Sequence, residues 1–236
     1  MPPASPTPSP TPTRPTVRPV PDGCSLTDEY RGEDVEVAPT TRRIAALTFD
    51  GGADSRGAAS VLSTLSTTHA AATFFLTGEF TRDHPGATTA ISSAYPVGNH
   101  TNTHRDLTTL VSTTVVDELR QGAAAIRAAT GRQPGPWFRF PYGESDARTI
   151  DLVNDECYVA VRWTVDSLGW KGTSGGMTTA KVRDRVLAAA RPGMIVLMHV
   201  GANPDDGTTL DAAALPAIID GLRAKGYTFV TLQQAL

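Results

Sequence analysis

Short apolar runs alternate with longer amphipathic segments from residue 44 to the C-terminus, and this alternation constrains the fold more than any other feature. Strands separated by helices pair in parallel through right-handed crossovers, so the pattern predicts an α/β fold. The predicted strands are Ile44–Phe49, Ala71–Leu76, Val97–Asn99, Trp137–Phe140, Tyr158–Trp163, Met194–Met198 and Tyr227–Thr231. The predicted helices cover about residues 56–68, 84–94, 112–130, 146–156, 178–191 and 210–225. A barrel and an open doubly wound sheet both fit this pattern.

Polar side chains stand at the ends of five of the seven predicted strands, and their placement favours the barrel. In chain order they are Asp50, His100, Arg139, Asp166 and His199. The carboxyl ends of parallel strands form the functional face of α/β folds, so we expect these side chains to converge. An open sheet uses mainly two neighbouring loops, whereas residues drawn from strands one to six require a closed or nearly closed ring.

The composition excludes several kinds of partner. The chain has 236 residues, 40% of them hydrophobic, which predicts one sizeable domain with a tail, and we expect a monomer. The net charge of -3 and the lack of a Lys/Arg block exclude nucleic acid as an expected partner. No run approaches the roughly 18 apolar residues of a membrane span, and the N-terminus lacks the apolar core of a secretory signal.

The first 21 residues contain nine of the 18 prolines, mostly alternating with Thr or Ser. Such a composition predicts an extended, polyproline-like tether. We therefore divide the chain into a disordered tether and N-terminal segment, residues 1–40, and a folded domain, residues 41–236. Tethers of this kind separate folded domains from an anchor or wall, so we expect a secreted or envelope-associated protein. An internal start or a cytosolic chain remains the alternative.

The chain has two cysteines, Cys24 and Cys157. In an oxidising compartment a disulfide between them would close a long loop and add about 3–5 kcal/mol of stability. Two independent buried thiols are the alternative. Neither cysteine has a second Cys or His at metal-ligand spacing.

His100 and His104 are four residues apart, at the end of a predicted strand. Imidazole is a good zinc ligand, although such a pair alone can also lie on a solvated helix. Together with Asp50 and His199, a carboxylate and a third imidazole, the pair indicates a metal-assisted hydrolase. A metal-free glycosidase using Asp50 and Asp166 is the alternative, and it would leave the paired histidines unexplained.

Five segments spread over residues 44–236 carry a family resemblance. They are Thr48–Gly52 (TFDGG), His100–His104 (HTNTH), Arg139–Tyr142 (RFPY), Asp166–Trp170 (DSLGW) and Leu197–His199 (LMH). In this order they resemble the motifs of the NodB-type polysaccharide deacetylases, carbohydrate esterase family 4. The resemblance implies a distorted (β/α)7 barrel and a divalent metal, most often Zn²⁺. It implies a hydrolase that removes acetyl groups from peptidoglycan- or chitin-like polysaccharide by metal-activated water, or from O-acetylated xylan.

The resemblance also implies roles for individual residues. Asp50 would be the general base, Arg139 would keep it ionised, and His199 would protonate the departing amine. Without the motifs, a helix cap, a surface ion pair and a core histidine are the ordinary interpretations of these three.

Metal and substrate contacts are implied in the same way. His100 and His104 would bind the metal. The backbone N–H of Tyr142 would contact the acetyl carbonyl oxygen, and Trp170 and Leu197 would enclose the acetyl methyl group.

Two positions depart from the family pattern. Gly51 stands where the family has an aspartate as third metal ligand, which leaves Asp54, Asp50 or water for that place. Gly169 stands where the family has the acidic residue that tunes the catalytic histidine, and Asp166 is a candidate substitute. A carbohydrate-binding relic without activity is therefore an alternative function.

Overall fold

The computed structural model describes Cys24 and residues 30–236, so the tether predicted over residues 1–21 lies outside the described residues. Its strands are β1 (Asp34–Val35), β2 (Ile44–Gly51), β3 (Ala72–Leu76), β4 (Val97–Asn99), β5 (Trp137–Phe138), β6 (Val159–Val161), β7 (Val165–Asp166), β8 (Met194–His199) and β9 (Thr228–Phe229). Its helices are α1 (Ala58–Thr68), α2 (Gly78–Asp83), α3 (Pro85–Ala94), α4 (Ser112–Thr130), α5 (Ala147–Asp155), α6 (Thr179–Ala188), α7 (Leu210–Ala224) and α8 (Leu232–Ala235).

The strands form one parallel sheet in the order β1-β6-β5-β4-β3-β2-β8-β7, and β9 pairs with the start of β2. β6 and β7 lie toward opposite ends of this order, yet only three residues, 162–164, connect them. Three residues span at most about 13 Å between flanking Cα atoms, so the two ends of the sheet lie side by side. Val37, just after β1, also bridges to Met194 of β8. The sheet is therefore curled into a nearly closed ring, and the predicted distorted (β/α)7 barrel is confirmed.

Apolar side chains inside the ring pack into one cluster, which explains why the ring closes. The cluster takes residues from six strands and from α8: Val35, Ala46, Phe75, Trp137, Val159, Val161, Ile195 and Leu232. A second, larger cluster fills the space between the strands β2, β3 and β8 and the helices outside them. Both faces of the central strands are thus buried. This agrees with the sequence of β8, which is apolar up to His199, and with that of β2, where Thr48 is the one polar residue before Asp50.

The structure corrects several predicted elements. The strand predicted over Tyr158–Trp163 is shorter, and Asp166 ends a separate strand, β7, that the sequence did not predict. The helix predicted from residue 84 is preceded by α2, whose N-cap Thr77 accepts a hydrogen bond from Phe80 N–H. Strand β1 was also missed, because two residues are too few to show a period.

A disulfide joins Cys24 to Cys157, 133 residues further along the chain, which is the first of the two alternatives that the sequence left open. Cys157 lies two residues after α5 and two before β6, so the bond attaches the N-terminal segment beside β6, the strand that β1 pairs with. In the described part of the chain, every helix is too short or too polar to cross a bilayer.

Candidate active site

A cleft of about 730 Å³ opens at the carboxyl ends of the strands. Of the residues singled out in the sequence, it is lined by Asp50, Asp54, His100, His104, Tyr142, Asp166, Trp170, Leu197 and His199. Arg139 lies beneath its floor and is fully buried. The ring thus brings together side chains separated by up to 149 residues of sequence, as the strand-end argument predicts.

Asp50 and Arg139 form a buried ion pair at the floor of the cleft. Arg139 Nη1 donates to Asp50 Oδ1 at 2.8 Å. The remaining guanidinium nitrogens are fixed as well, because Nε donates to the carbonyl of Val161 and Nη2 to that of Arg162. Burial acts to raise the pKa of Asp50, but the charge of Arg139, supported by two nearby imidazoles, lowers it below its ordinary value of 3.8. Asp50 is therefore an ionised carboxylate at neutral pH, in the state that a general base requires.

His100 and His104 lie next to each other beside Asp50. Their ring centroids are 4.8 Å apart, and His100 Nε2 is 3.5 Å from Asp50 Oδ2. His100 Nδ1 lies 2.8 Å from the carbonyl oxygen of Arg139, which can only accept, so Nδ1 donates and Nε2 keeps its lone pair. Burial lowers the pKa of His100, and burial together with the neighbouring His100 lowers that of His104 to about 3. Both rings are neutral donors, the form that binds metal.

A buried glutamate that the sequence analysis missed holds the loop between these histidines. Glu118, on α4, accepts hydrogen bonds from the backbone N–H groups of Asn102 and Thr103 at 3.0 and 2.8 Å. Its other oxygen accepts from Thr103 Oγ1 at 2.7 Å. In the sequence Glu118 is one charged residue of an amphipathic helix, and no local pattern marks it.

Of the described side chains, the imidazoles of His100 and His104 are the two placed to bind a divalent metal together. Among Cys24 and residues 30–236, no group of three His, Cys, Asp or Glu side chains is placed to hold a metal ion. Catalytic zinc sites usually have three protein ligands. Asp54 was one candidate for the third. Asp54 instead accepts from the backbone N–H groups of Arg56 and Ala202 and pairs with the Arg56 side chain. That alternative is not supported, which leaves Asp50 or water.

Gly51 faces apolar surroundings. A Cβ built on it would lie 2.7 Å from Leu76 Cδ2 and 3.3 Å from the ring of Phe80. An aspartate at this position would therefore require Leu76 to move.

His199 ends β8 and lines the same cleft as the histidine pair, and its side chain is 28% exposed. Its Nδ1 lies 3.5 Å from Asp211 Oδ2. Burial acts to lower the pKa of His199, but the contact with Asp211, supported by the charge of Asp50, raises it above 6.5. The imidazole is thereby favoured in its protonated form, which a general acid requires.

The candidate substitute Asp166 does not contact His199 in this way. Its two carboxylate oxygens accept from Leu168 N and Trp170 Nε1, at 2.8 and 3.1 Å. Asp211 is not among the site residues predicted from the sequence, because it stands at the predicted start of a helix, where an acidic side chain has a structural explanation.

Two exposed aromatic residues flank the cleft. Tyr142 is 63% exposed and Trp170 is 46% exposed, while Leu197 lies buried between the strand ends.

Tyr142, His104 and Leu168 have positive φ angles of 60°, 58° and 61°. Left-handed backbone is costly for such residues and concentrates at functional sites, where the surrounding structure enforces it.

Comparison with known proteins identifies the family. Residues 38–161 match the model of the polysaccharide deacetylase family over more than half of the chain. The chain belongs to this family. The family resemblance read from the five motifs is thereby confirmed, and so is the prediction of an enzyme at the level of the family.

Relatives and solved structures agree with this assignment. A peptidoglycan-N-acetylglucosamine deacetylase of Bacillus cereus is 30% identical over 195 residues, covering 82% of this chain and 68% of that protein. The chain spans only 42% of the Listeria monocytogenes relatives named PgdA. A crystal structure of a peptidoglycan N-acetylglucosamine deacetylase is 28% identical with a TM-score of 0.78, covering 86% of this chain and 92% of that one.

A pseudoenzyme of the same family is also similar in structure. The Bacillus anthracis protein is 28% identical, with a TM-score of 0.74, covering 82% of this chain and 65% of that one. Family membership and fold therefore do not by themselves establish activity, and the residues of the cleft must support it.

Proposed function

We propose that this protein is a metal-dependent deacetylase that hydrolyses the acetamido groups of peptidoglycan- or chitin-like polysaccharide outside the cell. The observation that carries the proposal is the pairing of charge states across one cleft. Asp50 is held ionised by Arg139, while His199 is favoured in its protonated form. A base and an acid with pKa values separated in this direction are what amide hydrolysis needs.

The proton transfers follow from this geometry. Asp50 takes a proton from a water molecule while the oxygen of that water molecule adds to the acetyl carbonyl carbon. His199 then gives a proton to the sugar nitrogen as the C–N bond breaks, so the products are acetate and a free amine. His199 Nδ1 faces Asp211, which leaves Nε2 as the nitrogen directed at the substrate.

His100 and His104 are the residues that would hold a divalent metal, most often zinc in this family. When bound, such a metal supplies Lewis acidity at the acetyl oxygen and lowers the pKa of water beside it. Arg139 serves both groups, because its side chain fixes Asp50 and its carbonyl oxygen fixes the tautomer of His100.

The shape of the cleft supports a polymer substrate. Tyr142 and Trp170 project from its rim, and aromatic faces of this kind pack against the apolar faces of sugar rings. Leu197 supplies an apolar wall beside His199 for the acetyl methyl group.

Acetate release from peptidoglycan, chitin oligomers and acetylated xylan, with and without chelator, tests the proposal. We expect release from an N-acetylated polymer that stops with chelator and returns with Zn²⁺. Asp50→Asn should lower the rate by about 100-fold or more, because general base catalysis is worth about that much. The matched control is Asp184→Asn, an exposed carboxylate on α6. Release from xylan alone would favour an O-acetyl esterase of the same fold.

A carbohydrate-binding protein without activity is the second candidate. It is favoured by the similarity to a pseudoenzyme and by Gly51 in place of a metal-binding aspartate. Binding of an N-acetylated polymer, measured by calorimetry, with no acetate release at any metal concentration, would establish this function and refute the first.

The extracellular location rests on the Cys24–Cys157 disulfide and on the Pro/Thr/Ser-rich N-terminal sequence. Disulfides persist in oxidising compartments. Free-thiol labelling of the protein in cell fractions tests the location, since we expect the oxidised form in the envelope or medium. Recovery of only the reduced protein in the cytosol would contradict it.

A further inference from the structure

Asp211 binds the backbone of His199 and lies close to its ring. It lies in the first turn of α7 and is 3% exposed. Its Oδ2 accepts a hydrogen bond from the backbone N–H of His199 at 2.9 Å and lies 3.5 Å from the ring Nδ1. Its Oδ1 accepts from Ser167 Oγ at 2.6 Å. The carboxylate is thus fixed from both sides, with one oxygen directed at the imidazole.

The space that this carboxylate fills exists because position 169 is glycine. A Cβ built on Gly169 would overlap the Asp211 carboxylate, with Oδ2 at 2.9 Å and Oδ1 nearer still. Gly169 is absent from the residues with positive φ, so its backbone conformation does not demand glycine. The reason for glycine at this position is therefore the space that Asp211 needs. A carboxylate on residue 169 and a carboxylate on residue 211 exclude each other.

We propose that Asp211 is the positioning residue for His199, and that it performs from α7 the task for which the motif around Gly169 lacks a side chain. This proposal rests on the proposed function, because the proton that His199 delivers is the one used in deacetylation. In this chain the acid beside the proton donor stands on α7, the helix after β8, and not in the loop after β7.

The other carboxylates near His199 have different partners. Asp166 binds Leu168 N and Trp170 Nε1, and Asp50 is paired with Arg139. Among the described residues, Asp211 is therefore the acidic side chain that contacts His199 directly.

Kinetics of three variants test the proposal. Asp211→Asn keeps the shape of the side chain, and we expect kcat to fall at least about 10-fold with KM changed less than about 2-fold, because general acid catalysis is weakened and binding is not. Asp211→Ala should lose at least as much. The double variant Gly169→Asp/Asp211→Ala returns a carboxylate to the vacated space and should recover a large part of the lost kcat.

Two further variants control for damage to the fold. Gly169→Asp alone places two carboxylates in one space and should be worse than the double variant in both kcat and thermal stability. Asp184→Asn, on the exposed face of α6, should leave kcat unchanged. Circular dichroism confirms that each variant compared is folded.

NMR titration of the His199 imidazole, without substrate, separates this proposal from the proposed function. The charged and titratable groups that influence the ring are Asp211 on α7, Asp50 on β2, Asp166 on β7 and the pair His100 and His104. We expect the pKa of His199 to fall in Asp211→Asn and to rise again in the double variant.

The outcomes are distinct. Full kcat and an unchanged imidazole pKa in a folded Asp211→Asn variant would overturn the role of Asp211. A folded double variant that regains neither kcat nor the imidazole pKa would also overturn the role of Asp211. A pKa that falls and recovers as expected, in a protein that releases no acetate from any polymer, would support the positioning role and refute the proposed function instead.

Discussion

Arg139→Met tests the buried ion pair on which the proposed base depends. Arg139 is fully buried. Its guanidinium donates hydrogen bonds to Asp50 and to the carbonyl oxygens of Val161 and Arg162. Methionine has a similar length and no charge, so the variant leaves the Asp50 carboxylate buried without its cation. Removing one partner of a buried ion pair costs about 3–5 kcal/mol, and each kcal/mol lowers the Tm of a domain of this size by about 2–4 °C. We therefore expect the Tm to fall by roughly 6–20 °C.

The size of this effect should depend on pH, with a sign fixed by Asp50. The pKa of Asp50 is lowered in the folded protein, so its ionisation stabilises the fold above the unfolded-state value of about 3.9. This stabilisation is lost as the pH falls through the folded-state pKa. Arg139→Met removes its main source. The difference in unfolding free energy between wild type and variant should thus be largest near neutral pH and shrink in acid.

Urea denaturation followed by circular dichroism measures this difference at neutral pH and at about pH 3, below the unfolded-state pKa. Chelator is present throughout, so that bound metal adds no stability. The matched control is Arg183→Met, which breaks an exposed ion pair with Asp184 and should cost less than about 1 kcal/mol. A loss below about 1 kcal/mol for Arg139→Met at neutral pH, or an equal loss at both pH values, would refute the reasoning.

Three further measurements test other parts of the structure. Glu118→Ala releases the loop between the two metal-site histidines and should weaken zinc binding about 10- to 100-fold by calorimetry; unchanged affinity would contradict its role. The rate kcat/KM should fall as pH rises through the raised pKa of His199, because the proton donor is lost, and a profile with no alkaline decline would exclude His199 as the acid. Replacing Cys24 and Cys157 together by serine should lower the unfolding free energy by about 3–5 kcal/mol in urea, given the length of the loop that they close, whereas an unchanged midpoint would show that the bond adds no stability.

Much of the barrel could be predicted because its central strands are long and apolar. β2 and β8 are buried on both faces, so their sequences are apolar, apart from Thr48, up to Asp50 and His199. β1 and β7 have two residues each, too few to show a period, and their pairing depends on chain segments far away in sequence. In the sequence, the closed ring is therefore indicated by the polar residues at the strand ends, such as Asp50 and His199. The short strands β1 and β7 give no such signal.

The candidate site shows the same division. Residues inside ordered motifs, such as Asp50 and His199, could be recognised from sequence. Glu118 and Asp211 could not, since each lies on a helix and reaches the site only through packing against a neighbouring loop. The sequence does contain one signal for Asp211, because Gly169 marks a missing carboxylate. Asp211 is 42 residues away from Gly169, however, and only the folded chain brings these two residues together.

The short strand β1 affects how the protein can be produced in pieces. Its backbone pairs with β6, and the bridge at Val37 joins the same segment to β8. A recombinant fragment that starts at residue 41 would lack this segment and present the free N–H and C=O groups of β6 to solvent. Unpaired strand edges recruit other chains and cause aggregation. Expression of the folded domain should therefore begin upstream of Cys24, so that both the edge strand and its covalent attachment are retained.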